Sequence, residues 1–163
     1  MTMYNDALMG QRVRLLIRAK YGSAKACSRA TGITEQTIGK MQKVDTHKGS
    51  MHLDTIARVA DSLGTSIDYL VGRINKDPEK AQYTPYNQDE IAERAFYARC
   101  HNKLTVNTVA DHAGLMHCVV NNIEHRRNTG CNLYTLDKLA DCYGTSLDWL
   151  TGRIEDRKRD KNA

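Results

Sequence analysis

The sequence predicts an all-α protein of two tandem five-helix units, and three observations carry that prediction. A ten-residue phrase occurs twice, GTSIDYLVGR from Gly64 to Arg73 and GTSLDWLTGR from Gly144 to Arg153, 80 positions apart. Matching octets precede the copies, TIARVADS from Thr55 and TLDKLADC from Thr135, so the chain contains an internal duplication. Second, aromatic residues are only 6% of 163 residues, which leaves the cores to Leu, Ile, Val, Ala and Met and favours short packed helices. Third, apolar residues recur at helical spacing between single glycines. Two units of this size are each marginally stable alone.

In the first unit, residues 1–73, Asn5 or Asp6 starts a helix whose apolar positions are Met9, Val13, Leu16 and Ile17, with Arg12, Arg14 and Arg18 pointing elsewhere. Gly22 ends it. Ser23 caps a second helix, Gly32 makes a tight turn, and Thr34 caps a third helix with Ile38 and Met41 inward, a helix-turn-helix arrangement. After the polar loop KVDTHKGS, a fourth helix carries Leu53, Ile56, Val59, Ala60 and Leu63. Thr65 followed by Asp68 predicts a capping box that opens a short fifth helix with Ile67, Tyr69 and Leu70, ended by Gly72.

Residues 74–88, INKDPEKAQYTPYNQ, hold both prolines and no apolar period, and predict a linker that reaches at most roughly 50 Å. The second unit, 89–154, repeats the first at an offset of 82 until the third helix, with Tyr86 and Asn87 matching Tyr4 and Asn5, and Gly114 matching Gly32. Ile91, Ala95 and Ala98 line its first helix, and Thr105 caps the second, which carries Val109 and Ala110. The later return to an offset of 80 places two extra residues between the third and fourth helices of the first unit. Residues 155–163 are a charged tail.

Residues 1–73 carry 11 basic and 6 acidic groups, against 7 and 8 in 89–153, so the basic first half points to a polyanion, nucleic acid foremost. Five cysteines without a CxxC pair suit a reducing compartment, and the opening MTMYNDALMGQRVR lacks the apolar run of a signal peptide. A cytoplasmic protein without a membrane segment is expected. No phosphate-cradling glycine loop or nucleophile motif is present, so neither an enzyme nor a cofactor is expected. Cys100, His101, His112, His117, Cys118, His125, Cys131 and Cys142 gather soft ligands in the second half, but their spacing fits no zinc pattern, and no metal site is assigned. A metal- or redox-responsive regulator is a minor alternative.

The helix order, the turn glycine and the closing phrase resemble the lambda-repressor-like DNA-binding domains of phage repressor and Cro-like regulators, over about four fifths of the chain. VADHAGLMHCVVNNIE in the second unit follows the family's run closely. CSRATGITEQTIGKMQ in the first is looser, with Cys27, Ser28 and Gln42 where the family favours Leu, Ala and Glu. Ala24 and Val106 stand where the family often has a phosphate-holding Gln. The resemblance implies a sequence-specific, double-stranded-DNA-binding transcription regulator, most simply a repressor of a phage or mobile element.

It also implies that the third helix of each unit enters the major groove and reads bases with its first turn. The base-reading candidates are Thr34, Glu35, Gln36, Thr37 and Lys40 in one unit and Met116, His117, Cys118, Asn121 and Asn122 in the other. Gln36 or an Asn can pair with adenine, Glu35 with cytosine, and Lys40 with guanine or a phosphate. Ser23, Lys25, Lys43 and Lys48, with Thr105, Asn107, Arg126 and Arg127, are the phosphate candidates. The family pairs through its fifth helix, which makes Ile67, Tyr69, Leu70, Leu147, Trp149 and Leu150 a pairing surface, used either within one chain as a pseudo-dimer or between chains as a homodimer. The uncharged third helix of the second unit leaves a rival reading, an antitoxin-like adaptor or the target of a protein antirepressor.

Overall fold

The structure, a computed structural model, describes residues 5–43, 52–78, 82–127 and 131–155. It is all-helical there, with α1 (Asp6–Tyr21), α2 (Ala24–Thr31), α3 (Glu35–Gln42), α4 (Leu53–Leu63), α5 (Ile67–Leu70), α6 (Gln88–His101), α7 (Val106–Ala113), α8 (His117–Glu124), α9 (Leu133–Tyr143) and α10 (Leu147–Leu150). Ten residues separate α3 from α4 and eight separate α8 from α9, which is the two-residue insertion expected there. Among the described residues there is no strand, and one isolated antiparallel bridge joins His52 to Asn132. No helix among them is long and apolar enough to cross a membrane.

Local chemistry sets the helix starts. Side-chain oxygens of Asn5, Ser23, Thr34, Thr105 and Asn132 each accept the amide three residues on, at 3.1, 3.1, 3.2, 3.1 and 2.8 Å, while Asn87 accepts that of Asp89 at 3.0 Å. Each such cap stabilises its helix by about 1 kcal/mol. The capping box expected at Thr65 and Asp68 is not what forms. Ser66 caps α5 by accepting from Tyr69 N at 3.1 Å, and Ser146 does the same for α10 with Trp149 N at 3.0 Å. With Ser66 as the cap, Asp68 is the second residue of α5 rather than the third, and its carboxylate accepts instead from Leu147 N and Asp148 N.

Arg12 corrects a second expectation. It does not point away from the core. It is buried, lies over the Tyr69 ring at 4.0 Å and donates to the carbonyls of Tyr69 and Ile74. Those carbonyls lie at the end of the short α5 and at its exit; Tyr69 O also accepts Gly72 N at 3.0 Å, and Arg12 adds a second donor there. Arg94 does the same in the second half, donating to Trp149 O at 2.9 Å and Ile154 O at 2.6 Å with Trp149 beneath it. An exposed Arg pattern and a buried one look alike in helical periodicity.

Helices α1–α5 pack on one another, α6–α10 do likewise, and α5 meets α10. The apolar side chains form one continuous core that includes Val13, Ile17, Ile38, Leu53, Ile56 and Leu70 from the first half and Ala98, Val109, Val120, Leu136 and Leu150 from the second. Each Val, Leu or Ile buried this fully contributes roughly 1.5–3 kcal/mol. Gly10 lets α1 approach the end of α3, since a Cβ there would lie 3.3 Å from Gln42 O.

The segment expected to be a free spacer is fastened where it is described, and its last residue, Gln88, already belongs to α6. Asp77 accepts the Thr65 hydroxyl at 2.5 Å and Ser66 N at 3.0 Å. Thr84 N donates to Arg153 O at 2.9 Å, its hydroxyl to Gly152 O at 2.7 Å, and Tyr86 N to Asp61 Oδ2 at 3.2 Å. Residues 79–81 of that segment, and 156–163 of the tail, lie outside the described residues.

Candidate nucleic-acid interface

The two α2–α3 and α7–α8 corners are built alike. Gly32 and Gly114 take left-handed conformations, with φ of +70° and +59°, and each turns the chain so that the start of the following helix projects. Of the residues expected to read bases, Thr34, Glu35, Gln36 and Lys40 are exposed, and Thr37 is half-buried. The Thr34 hydroxyl is held by the cap and lies 2.9 Å from that of Thr37, so these two shape the helix start while Glu35, Gln36 and Lys40 lie on the exposed side of α3.

In the second half the helix begins at His117, and Met116 is its cap residue without a side-chain cap bond. Met116 is 69% exposed, and His117 and Cys118 are exposed too. Asn121 and Asn122 are half-buried, with Asn121 O 2.8 Å from His125 Nδ1, so this face offers less polar reach than α3 does. Glu124, which closes α8, is bound by a two-pronged contact from Arg99, Nε to Oε1 at 2.7 Å and Nη2 to Oε2 at 2.8 Å. That hydrogen bonding keeps the Arg99 guanidinium pKa above its ordinary value against partial burial, and the fork fixes the axis of α8 against α6. The first half has Gln42 at that place, and there Arg14 Nη2 donates to Gln42 O at 3.0 Å.

The phosphate candidates divide. Ser23 and Thr105 are exposed with hydroxyls committed to caps, while Lys25, Lys43, Asn107 and Arg127 are exposed. Arg126 is exposed too, holds a left-handed φ of 55° and is ion-paired with Glu93, so a phosphate there would compete with an exposed carboxylate. Lys48 lies outside the described residues. Among those residues no group of three or more His, Cys, Asp or Glu is gathered as a metal would require. Burial pushes the Cys131 thiol up to about 11 and also raises Cys27 and Cys142, whereas Cys100 and Cys118 are exposed.

The pairing surface is the most elaborate part of the molecule. Ile67, Leu70, Leu147 and Leu150 are fully buried, Trp149 nearly so, and Tyr69 is half-buried under Arg12. What crosses between α5 and α10, however, is charge. Asp148 accepts from Ile67 N at 3.0 Å, Asp68 N at 3.2 Å and the Ser66 hydroxyl at 2.5 Å. Reciprocally, Asp68 accepts from Leu147 N at 3.0 Å and Asp148 N at 2.9 Å. Each carboxylate thus satisfies the unpaired first-turn amides of the opposite helix.

Two arginines, one from each copy of the closing phrase, complete the exchange. Arg73 binds its own Asp68 at 2.9 Å, reaches across to Asp141 at 2.8 Å, and also contacts Asp137. Arg153 binds its own Asp148, reaches Asp61 at 2.8 Å, and donates to Thr65 O at 3.0 Å. Burial opposes the Arg73 charge, but Asp68, Asp137 and Asp141 outweigh it and hold its pKa above its ordinary value. For Asp68, burial and the nearby Asp148 outweigh Arg73 and the accepted amides, and its pKa is pushed up to about 7. Leu53 N to Cys131 O at 3.3 Å and the His52–Asn132 bridge extend the contact along the same pseudo-two-fold relation.

No family model, curated protein or solved structure matches the chain. Arg73, Arg153, Asp137 and Asp61 are pairing residues that no helical periodicity marks. Three of them leave a signal in the repeat: Arg73 and Arg153 end both copies of the phrase, and Asp61 matches Asp141 in the preceding octets, whereas Asp137 stands opposite Ala57 and leaves none.

Proposed function

We propose that the chain is a sequence-specific, double-stranded-DNA-binding transcription regulator, a repressor of phage or mobile-element kind. In this reading α1–α5 and α6–α10 are two tandem helix-turn-helix domains, and α3 and α8 are two unlike recognition helices. The supporting observation is a pair of corners with projecting first turns, carried on two sets of helices that pair by a pseudo-two-fold exchange at α5 and α10. Duplex DNA presents its grooves with the same symmetry, with successive major-groove faces about 34 Å apart. Gln36, Glu35 and Lys40 supply hydrogen-bonding groups for base edges, and Lys25 and Lys43 supply phosphate charge.

Selection from a random duplex pool at moderate salt tests the reading. One enriched site, lost when Gln36 and Lys40 are both replaced by alanine, supports it. A pool that stays random refutes it. A second reading is favoured by one observation, the exposed Met116 and Cys118 on α8, which suit a protein contact better than base edges. An adaptor of that kind keeps its partner in the Gln36→Ala, Lys40→Ala variant and loses it when Met116 is changed to glutamate.

A further inference from the structure

The surface through which two helical units of this build pair is already filled by the chain's own two halves. The charged groups that the two copies of the closing phrase bring to that contact, Asp68, Asp148, Arg73 and Arg153, are each answered from the other half. The Asp68 and Asp148 carboxylates take first-turn amides in both directions, at 2.9–3.2 Å, and Arg73 and Arg153 each close on carboxylates of both halves. Arg153 is wholly buried and Asp68, Asp148 and Arg73 nearly so. A second copy could enter only by exchanging the same pairs between chains, which gains no contact and loses the high effective concentration at which a short linker holds the chain's own halves. The fastened Thr84–Asn87 stretch, tied to Arg153, Gly152, Asp61 and Thr151, adds a strap across the same contact.

The two reading helices are therefore held in one relation, and they are chemically unlike: α3 reads EQTIGKMQ and α8 reads HCVVNNIE. We infer that a single chain occupies a whole operator by itself, as an asymmetric pseudo-dimer, on a duplex whose two half-sites differ and stand at one spacing and in one relative orientation. This rests on the DNA-binding reading above. A homodimer of half-chains reads a palindrome; a covalently joined, closed pair of unlike readers cannot, because only one half matches α3 and only the other matches α8. Nor does the linker's reach set the spacing. A loose tether tolerates a shifted half-site, but a rigid contact does not, since one inserted base pair turns the second half-site by about 35° and moves it by about 3.4 Å.

The test uses the full chain and the duplex recovered from the selection, in two measurements. Light scattering on the free chain gives its mass from micromolar to several hundred micromolar; the inference expects the 18.4 kDa monomer throughout, and a dimer overturns it whatever the chain binds. Affinity is then measured for the selected duplex, for versions with one base pair inserted or removed between the halves, and for palindromes made from either half. One chain per duplex and a loss of about 100-fold for each altered spacing and each palindrome are expected, as for loss of one half-site's contacts. Two chains per duplex, undiminished binding to a shifted spacing, or a palindrome bound as well as the selected site overturns the inference while leaving the DNA-binding reading standing. A monomer that selects no duplex removes that reading and this inference together.

Discussion

Replacing Arg153 by methionine keeps most of the aliphatic stem and removes the guanidinium, and it isolates what the paired charges contribute. The side chain is 0% exposed and its partner Asp148 3%; it also donates to Asp61 and Thr65 O and lies 4.5 Å from the Tyr83 ring. Methionine leaves Asp148 buried without its cation, a loss that runs to about 3–5 kcal/mol for buried pairs. For a chain of this length that lowers the melting temperature by about 6–20 °C. Arg126→Ala is the control, because that ion pair is 51% and 71% exposed and such pairs contribute at most about 1 kcal/mol. The assay is urea unfolding of both variants beside the parent chain, followed by helical circular dichroism. Adding Asp148→Asn to Arg153→Met removes the stranded charge and keeps an acceptor for Ile67 N, so the double variant recovers more than half of the loss. If Arg153→Met costs no more than Arg126→Ala, the argument that buried reciprocal charge locks the halves is wrong.

Three further outcomes are expected. The Asp68 carboxyl sits at about 7 in the folded chain against an ordinary 3.8, so the folded state holds the extra proton between those values and this group's contribution to stability falls as pH rises from about 4 to about 7. The urea midpoint measured across that range should lose part of its downward slope in Asp68→Asn, and an unchanged slope refutes the assignment. Native-state alkylation followed by mass spectrometry should modify Cys100 and Cys118 first, with Cys27, Cys131 and Cys142 lagging because burial hides them and raises their thiols. On the selected duplex, Lys25→Ala should lower the slope of log affinity against log salt by about 1 without changing site preference, whereas Gln36→Ala should cost about 1–3 kcal/mol at one base pair and relax the preference there.

Much of the frame is legible in the sequence because its causes are local. Asn5, Ser23, Thr34 and Thr105 cap the helices that the sequence leads one to expect, since a side-chain oxygen close to the backbone reaches the first-turn amides without help from the rest of the fold. The misreading of Thr65 and Asp68 as a capping box has an equally physical origin. Both Thr65 and Ser66 can cap, and Asp68 fits the pattern, but the choice falls to Ser66 because Asp77 claims the Thr65 hydroxyl and the opposite helix claims Asp68. Such claims arise from residues about 12 and 80 positions away, which spacing within a helix does not register.

By itself the sequence determined the duplication, the helical class, the order of the helices, the glycine-turned corners and which side chains stand at the starts of α3 and α8. Periodicity and capping are properties of a few consecutive residues, and the duplication needs only the letters. Whether α5 and α10 pair inside one chain, what crosses between them, and that Arg12, Arg73 and Arg153 are interior groups were decided by the tertiary structure. A charged residue is driven inward only when distant partners assemble to neutralise it, and those partners meet only when the two halves are in place.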